Sequence, residues 1–355
     1  HVKDEAGNTN DPNSCKITVK LVNQVTVTFN KNDSGATGTM SAQTCTNGAA
    51  CTLKANGFSK TGYSFSGWAT SSGGSKVYNN QASVTLTADT TLYAKWSGNS
   101  YTVKFNGNGN TGGSTANKSC TYGTDCTLTA NGFTKTGYVF DGWATSATAA
   151  ASYANQAKVK TLATSGEVTL YAKWKPITYY IAYNINGGTS GTMSNTTCTY
   201  DSDCTLRANA YSVSNYSFAG WATSSSGSVS YANSTKVKNL TSTSGGTVTL
   251  YAKWTALAPT CTPSGHDTAS WSSSKTVTLT CKNYDGTACT SPQKTYTTNG
   301  AKTETVTGSN GATATCSFTV SYIDGSSPTV TFKGQVSSTA VQCPSGRWLD
   351  KKWAF

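Results

Sequence analysis

The chain has 355 residues, 27 Lys+Arg against 15 Asp+Glu for a formal net charge of +12, and 12 cysteines. Only 12% of residues are charged and 36% hydrophobic, which is too little charge for a charge-driven disordered tail and lean for one large core. With 34 glycines and frequent Ser, Thr and Asn, this composition favours many short strands with polar turns over long helices.

Other classes are disfavoured by what the residues lack. No run approaches about 18 apolar residues, so no membrane span is expected. The positive charge is almost all lysine: Arg207 and Arg347 are the only arginines, and the lysines form no basic block. Arginine supplies bidentate base and phosphate recognition, so no nucleic-acid partner is expected. His1 and His266 are the only histidines, which starves histidine-based metal centres and catalytic triads of donors. Carboxylates are scattered, no phosphate loop or nucleophile elbow appears, and the chain reads as non-catalytic, with no cofactor and no metal. The chain opens on His1, so it reads as processed or as a fragment.

In chain order, residues 1–23 carry an alternating stretch, Cys15-Lys-Ile17-Thr-Val19, that reads as tail strands of a module. Three matched units follow, at 24–97, 98–175 and 176–255. Each opens on an alternating strand: Val25-Thr-Val27-Thr-Phe29, Tyr101-Thr-Val103-Lys-Phe105 and Tyr179-Tyr-Ile181-Ala-Tyr183. Period two places the odd-numbered residues on one face. A Cys-x5-Cys pair follows on a short strand: Cys45 and Cys51, Cys120 and Cys126, Cys198 and Cys204. Next comes Tyr-x-Phe-x-Gly-Trp, again read as alternating, with the glycine relieving crowding beside the Trp. Each unit closes on Leu-Tyr-Ala-Lys-Trp. Trp68, Trp143 and Trp221 recur at intervals of 75 and 78 residues, and the length differences fall in Gly/Ser-rich loops. The recurring aromatics are assigned to small cores rather than to sugar-stacking platforms.

The cysteine pairs enclose polar turn residues and have no further Cys or His at metal-ligand offsets. A disulfide closing a tight β-hairpin is therefore expected in each unit, worth about 2 kcal/mol in the chain-entropy model. Such recurrence points outside the reducing cytosol. Among the other cysteines, Cys281 and Cys289 form a plausible local pair and Cys261 and Cys316 a strand-to-strand pair. Cys15 and Cys343 are then left over and are candidates for an inter-subunit disulfide.

The pattern Gly-Tyr-x-Phe-x-Gly-Trp … Leu-Tyr-Ala-Lys-Trp resembles the Listeria–Bacteroides repeat, or internalin B-repeat, over residues 24–255. The resemblance implies small β-grasp-like modules in stalks or adhesive regions of secreted and surface proteins of bacteria. The third copy departs from it: Tyr211 replaces Phe, and Ser214-Asn215 replaces Thr-Gly before Tyr216. Both changes are expected to be tolerated.

Residues 256–325 form a different module. One strand is expected from Trp271 through Cys281, a second at Thr303–Thr307 and a third at Thr315–Tyr322. Its size and short regular strands resemble an immunoglobulin-like β-sandwich, and residues 1–23 resemble the closing strands of such a module. Residues 326–355 begin like a further module. The expected fold class is mainly β, a tandem array of small β-grasp-like repeats followed by an immunoglobulin-like sandwich. Short linkers, Ser97–Ser100 and Lys175-Pro176, suggest an extended array. The expected function is an extracellular structural stalk or fibre subunit of a bacterial surface. The alternative is an adhesin that holds a glycan or host protein through loops and exposed aromatics. Because both chain ends look incomplete, strands from residues 14–22 of one copy pairing with 328–355 of another would make a head-to-tail filament, while a cut fragment is the simpler alternative.

Overall fold

Alternating β-branched and aromatic residues between Gly/Asn turns leave no stretch able to bury a helical stripe. In the computed structural model, which describes residues 21–325, every regular element is a strand or a bridge. Residues 1–20 and 326–355 lie outside the described residues, and with them Cys15, Cys343 and the head-to-tail pairing of chain ends. The chain divides into two compact units, His1–Lys175 and Pro176–Phe355.

The first unit holds two repeats. In the first, β1 (Gln24–Asn30), β2 (Gln43–Thr46), β4 (Tyr63–Ala69) and β6 (Thr90–Gly98) form one sheet in the order β2-β1-β6-β4, while β3 (Ala50–Thr52) pairs with β5 (Ser83–Thr85) in a second. β1 and β6 run parallel, with Phe29 opposite Leu92, and both outer strands are antiparallel. In the second repeat, β7 (Ser100–Asn106), β8 (Gly112–Gly113), β9 (Lys118–Thr121), β10 (Cys126–Thr127), β11 (Phe133–Thr134), β12 (Tyr138–Ala144), β13 (Lys158–Val159) and β14 (Gly166–Pro176) repeat the plan: the main sheet is β9-β7-β14-β12 and the small one β10-β13. A further pair, β8 with β11, corresponds to a single bridge, Thr37 to Ser59, in the first repeat.

The second unit holds the third repeat and the following module. β15 (Thr178–Asn184), β16 (Thr196–Thr199), β17 (Cys204–Thr205), β18 (Tyr216–Ala222), β19 (Lys236–Val237) and β20 (Thr247–Ala256) give the sheets β16-β15-β20-β18 and β17-β19. The last module pairs β21 (Thr260–Ser264), β22 (Lys275–Lys282) and β23 (Gln293–Tyr296) in one sheet and β24 (Gly300–Thr307) with β25 (Thr313–Val320) in another. Trp271 lies outside β22, in a segment where Ser272 bridges Ile323, so the strand expected from Trp271 onward starts at Lys275. Lys275 is buried, and its ammonium bonds the oxygens of Thr268 and Ser270, which ties that segment down.

The cores follow the alternation. Val25, Val27 and Phe29 are buried, as are Tyr101 and Val103, and Tyr179, Ile181 and Tyr183. Trp68, Trp143 and Trp221 are each 0% exposed at the centre of their repeat. Each indole meets three rings: Trp68 packs on Phe29, Phe58 and Phe65 at 5.0, 6.2 and 4.8 Å between centroids. Burial of such a ring contributes roughly 2–3 kcal/mol to a small module.

The aromatic motif is not the simple alternation its sequence suggests. The β4–β6 register runs Phe65 opposite Trp96, Gly67 opposite Lys95 and Trp68 opposite Ala94, so the strand carries a bulge at Ser66–Gly67. The extra residue turns Phe65 and Trp68, three apart, to the same side. Gly67 sits there at φ 143°, where a Cβ would lie 2.4 Å from the Tyr78 carbonyl oxygen. The third repeat has the same bulge between Phe218 and Gly220.

Candidate functional site: disulfide corners and module joints

Within each repeat, the chemistry-bearing residues are the cysteines. Disulfides join Cys45 to Cys51, Cys120 to Cys126 and Cys198 to Cys204. In the last module Cys261 joins Cys316 and Cys281 joins Cys289. The hairpin expected around the repeat pairs is not what the bond closes. Cys45 lies on β2, hydrogen-bonded to β1, whereas Cys51 lies on β3, hydrogen-bonded to β5 in the other sheet. A turn, with the Ala49 N–H donating to the Thr46 carbonyl at 3.1 Å, carries the chain between sheets. The bond therefore staples a corner where two sheets part. Cys261 and Cys316 likewise join strands of different sheets, β21 and β25.

An asparagine that the sequence reading passed over fixes the loop after the first strand. Asn32, Asn108 and Asn186 sit at φ 55°, 48° and 48°, in the left-handed region that asparagine tolerates. The Asn186 side-chain amide donates to the Ser225 and Ala252 carbonyls at 3.0 and 2.9 Å, and Asn32 and Asn108 repeat the arrangement. The signal was present in the sequence as a recurring Asn-x-Asn: the Asn30, Asn106 and Asn184 side chains accept the backbone N–H two residues on.

The joint between the first two repeats is one residue long. β6 ends at Gly98, β7 starts at Ser100, and Asn99 uses every polar group it has. Its N–H donates to the Gly62 carbonyl at 2.9 Å, and its carbonyl accepts from Tyr122 N–H at 2.9 Å. Its side chain donates to the Thr164 carbonyl at 3.1 Å and accepts from the Ser64 hydroxyl at 2.6 Å. Beside it the Tyr63 and Tyr122 rings meet edge to face, with centroids 5.5 Å apart.

The third repeat meets the last module through the residues that depart from the repeat pattern. Asn215 accepts from Asp285 N–H at 2.9 Å through its side-chain oxygen and donates to the Asp285 carboxylate at 3.0 Å. The Ser214 hydroxyl donates to the same carboxylate oxygen at 2.6 Å. Asn310 donates to the carbonyls of Asn215 and Leu257 at 2.7 and 2.8 Å, and the Tyr216 hydroxyl donates to the Asn310 carbonyl at 3.2 Å. The Ser214 hydrogen bond, with those of Thr287 and Asn215, holds the Asp285 carboxyl down at about 2. Tyr211, the other departure, is also accommodated by a bond: its hydroxyl donates to the Tyr183 carbonyl at 2.7 Å.

The ionisable groups with shifted titration lie apart among the described residues. Tyr296 is raised to about 12 by burial and by its hydrogen bond to Glu304, and Asp33 is lowered by its hydrogen bond to Lys60; they sit in different modules. Among the described residues no group of three or more His, Cys, Asp or Glu is placed to hold a metal. An open depression on the last module is lined by Ala288, Cys289, Thr290, Thr307, Gly308 and Ser309, without an ionisable side chain. No described helix is long and apolar enough to cross a membrane.

These joints and corners belong to a repeat with known relatives. Two proteins of Evansella cellulosilytica are similar to the chain. One, named "Putative Gly-rich membrane protein", is 34% identical over 140 residues, covering 37% of this chain and 16% of its own length. The other, named "Putative membrane protein", is 31% identical over 162 residues, covering 46% of this chain and 23% of its own length. The chain thus spans less than a quarter of either relative's length. The family model of the Listeria-Bacteroides repeat domain matches residues 26–95, 101–173 and 179–253, one match to each repeated sheet. The chain belongs to the Listeria-Bacteroides repeat domain family.

Proposed function

We propose that the chain is a non-catalytic, disulfide-stabilised structural segment of a bacterial cell-surface protein, a stalk or fibre unit outside the cytosol. The observation that carries this reading is where the polar groups go. In the first unit Asn99 and its partners tie one repeat to the next, and in the second unit Asn215, Asp285 and Asn310 tie repeat to module. A chain selected to transmit force needs closed cores, stapled corners and stiff joints, and needs no pocket. Five disulfides among the described residues support an oxidising compartment, and both relatives' names place those proteins at a membrane. In the same reading the repeats are β-grasp-like, for which the parallel central pair speaks, and the last module is immunoglobulin-like, for which two sheets joined by Cys261–Cys316 speak.

Single-molecule stretching of the oxidised chain tests the role. Discrete ruptures are expected, each releasing on the order of 20 nm as a repeat extends. Gradual extension without ruptures would count against a mechanical role. The second reading, an adhesin for a glycan or host protein, is favoured by Tyr284, 67% exposed on the last module. Glycan-array binding that disappears in Tyr284→Ala would establish it instead.

A further inference from the structure

The two joints share one geometry and differ in two residues. In both, the carbonyl at the tip before the aromatic strand, Gly62 or Asn215, accepts the N–H of the residue three beyond the closing tryptophan, Asn99 or Leu257, at 2.9 and 2.8 Å. What the tip then touches is different. Gly62, at φ 77°, lies against the face of the Tyr122 ring, and a Cβ built there would be 2.4 Å from two ring carbons. The partner turn is as close in return: a Cβ on Gly123 would lie 2.1 Å from the Tyr63 hydroxyl. This joint admits no side chain at the tip. At the other joint Asn215 takes the same left-handed backbone, φ 64°, and its side chain fills the space with an amide that pairs with both the N–H and the carboxylate of Asp285.

We propose that the two tip residues specify which module a repeat is joined to: Thr61-Gly62 fits the Tyr-Gly turn beside the corner disulfide of another repeat, and Ser214-Asn215 fits an Asp- and Asn-bearing loop pair of the unlike module. The glycine joint is shape-selected, since any Cβ collides with an aromatic ring. The asparagine joint is selected by hydrogen bonding, since glycine would leave the Asp285 N–H without its acceptor and take one donor from the Asp285 carboxylate. In sequence, Thr136-Gly137 likewise precedes a repeat, whose corner turn reads Tyr200-Asp201 where the second copy has Tyr122-Gly123, and Ser214-Asn215 precedes the unlike module. The proposal deepens the structural reading and rests on it for its biological sense. Its test reads the joints alone, so loss of the mechanical role would leave it standing, and the reverse.

The experiment is amide hydrogen exchange on the full oxidised chain carrying exchanged tips. Ser214→Thr/Asn215→Gly is expected to speed exchange at 255–259, 283–287 and 308–312 about tenfold or more, with β18 and β22 still protected. Thr61→Ser/Gly62→Asn is expected to do the same at 97–99 and 121–124, with β4 and β7 protected. Joint segments that keep wild-type protection in either variant would overturn the proposal. Should an exchanged tip also open its own repeat's strands, the partner-side variants Asp285→Ala and Tyr122→Ala decide. Each must loosen its joint while the tip's repeat stays protected, and failure to do so refutes the pairing.

Discussion

At the scale of single residues, side-chain amides do work that composition alone would assign to solvent. Asn186 combines a left-handed backbone with two bonds to carbonyls, so two substitutions separate the contributions. Asn186→Gly keeps the backbone and loses the bonds, and should cost about 1–3 kcal/mol. Asn186→Ala loses the bonds and strains φ as well, adding about 1 kcal/mol. Exchange protection of β15 and β20 reads both, and equal effects would dismiss the backbone term. The Tyr211 hydroxyl gives a second case. Tyr211→Phe restores the residue of the other copies, yet it leaves the Tyr183 carbonyl without this donor. A loss of about 0.5–1.5 kcal/mol is expected, measured as faster exchange in the third repeat only. The residue was legible as a departure from pattern, whereas its partner was not, because the two are 28 positions apart and meet only in the folded core.

At the scale of elements, the corner disulfide separates two roles that a hairpin would merge. Cys120 belongs to β9 in the main sheet and Cys126 to β10 in the small one. Replacing both by serine removes about 2 kcal/mol of unfolded-state restriction. The loss should appear first in β10 and β13, a pair matched over only two residues on each strand, while β7, β9, β12 and β14 stay protected. Uniform loosening of both sheets would show that the bond holds the repeat as a whole rather than the corner. The bulge is the other device at this scale. Gly67→Ala would put a Cβ against the Tyr78 carbonyl at a backbone angle suited to glycine. It should cost roughly 1–3 kcal/mol and be visible as altered Trp68 fluorescence.

At the scale of the molecule, each unit is held by a joint whose chemistry sets its response to solvent. The Asp285 carboxyl titrates at about 2, below its ordinary value of 3.8, chiefly because Ser214 donates to it. A depressed carboxyl contributes its stabilisation above the unfolded pKa and loses it as pH falls through the folded one. The joint in the second unit should therefore be intact above about pH 4 and weaken between 4 and 2. Exchange at 255–259 against pH reads this directly. Ser214→Ala should move the loss to higher pH, and an unchanged profile would remove Ser214 as the main cause. The Asn99 joint of the first unit contains no carboxylate among its hydrogen bonds and should show no such transition.

The sequence by itself determined the three copies, the buried face of each opening strand, the central tryptophan and the pairing of cysteines within the three repeats. All of these follow from local periodicity or from recurrence at fixed spacing, and both survive in a linear string. The tertiary structure decided the rest. Whether Cys45 and Cys51 face each other across a hairpin or across two sheets depends on β1 and β5, strands from opposite ends of the repeat. The bulge that turns Phe65 toward Trp68 appears only in the register against β6. Ser214-Asn215 reads as a tolerable lapse until Asp285 and Asn310, 70 and 95 residues beyond Asn215, are brought against it. Periodicity states which face a residue takes; it does not state which distant backbone or carboxylate will be waiting there.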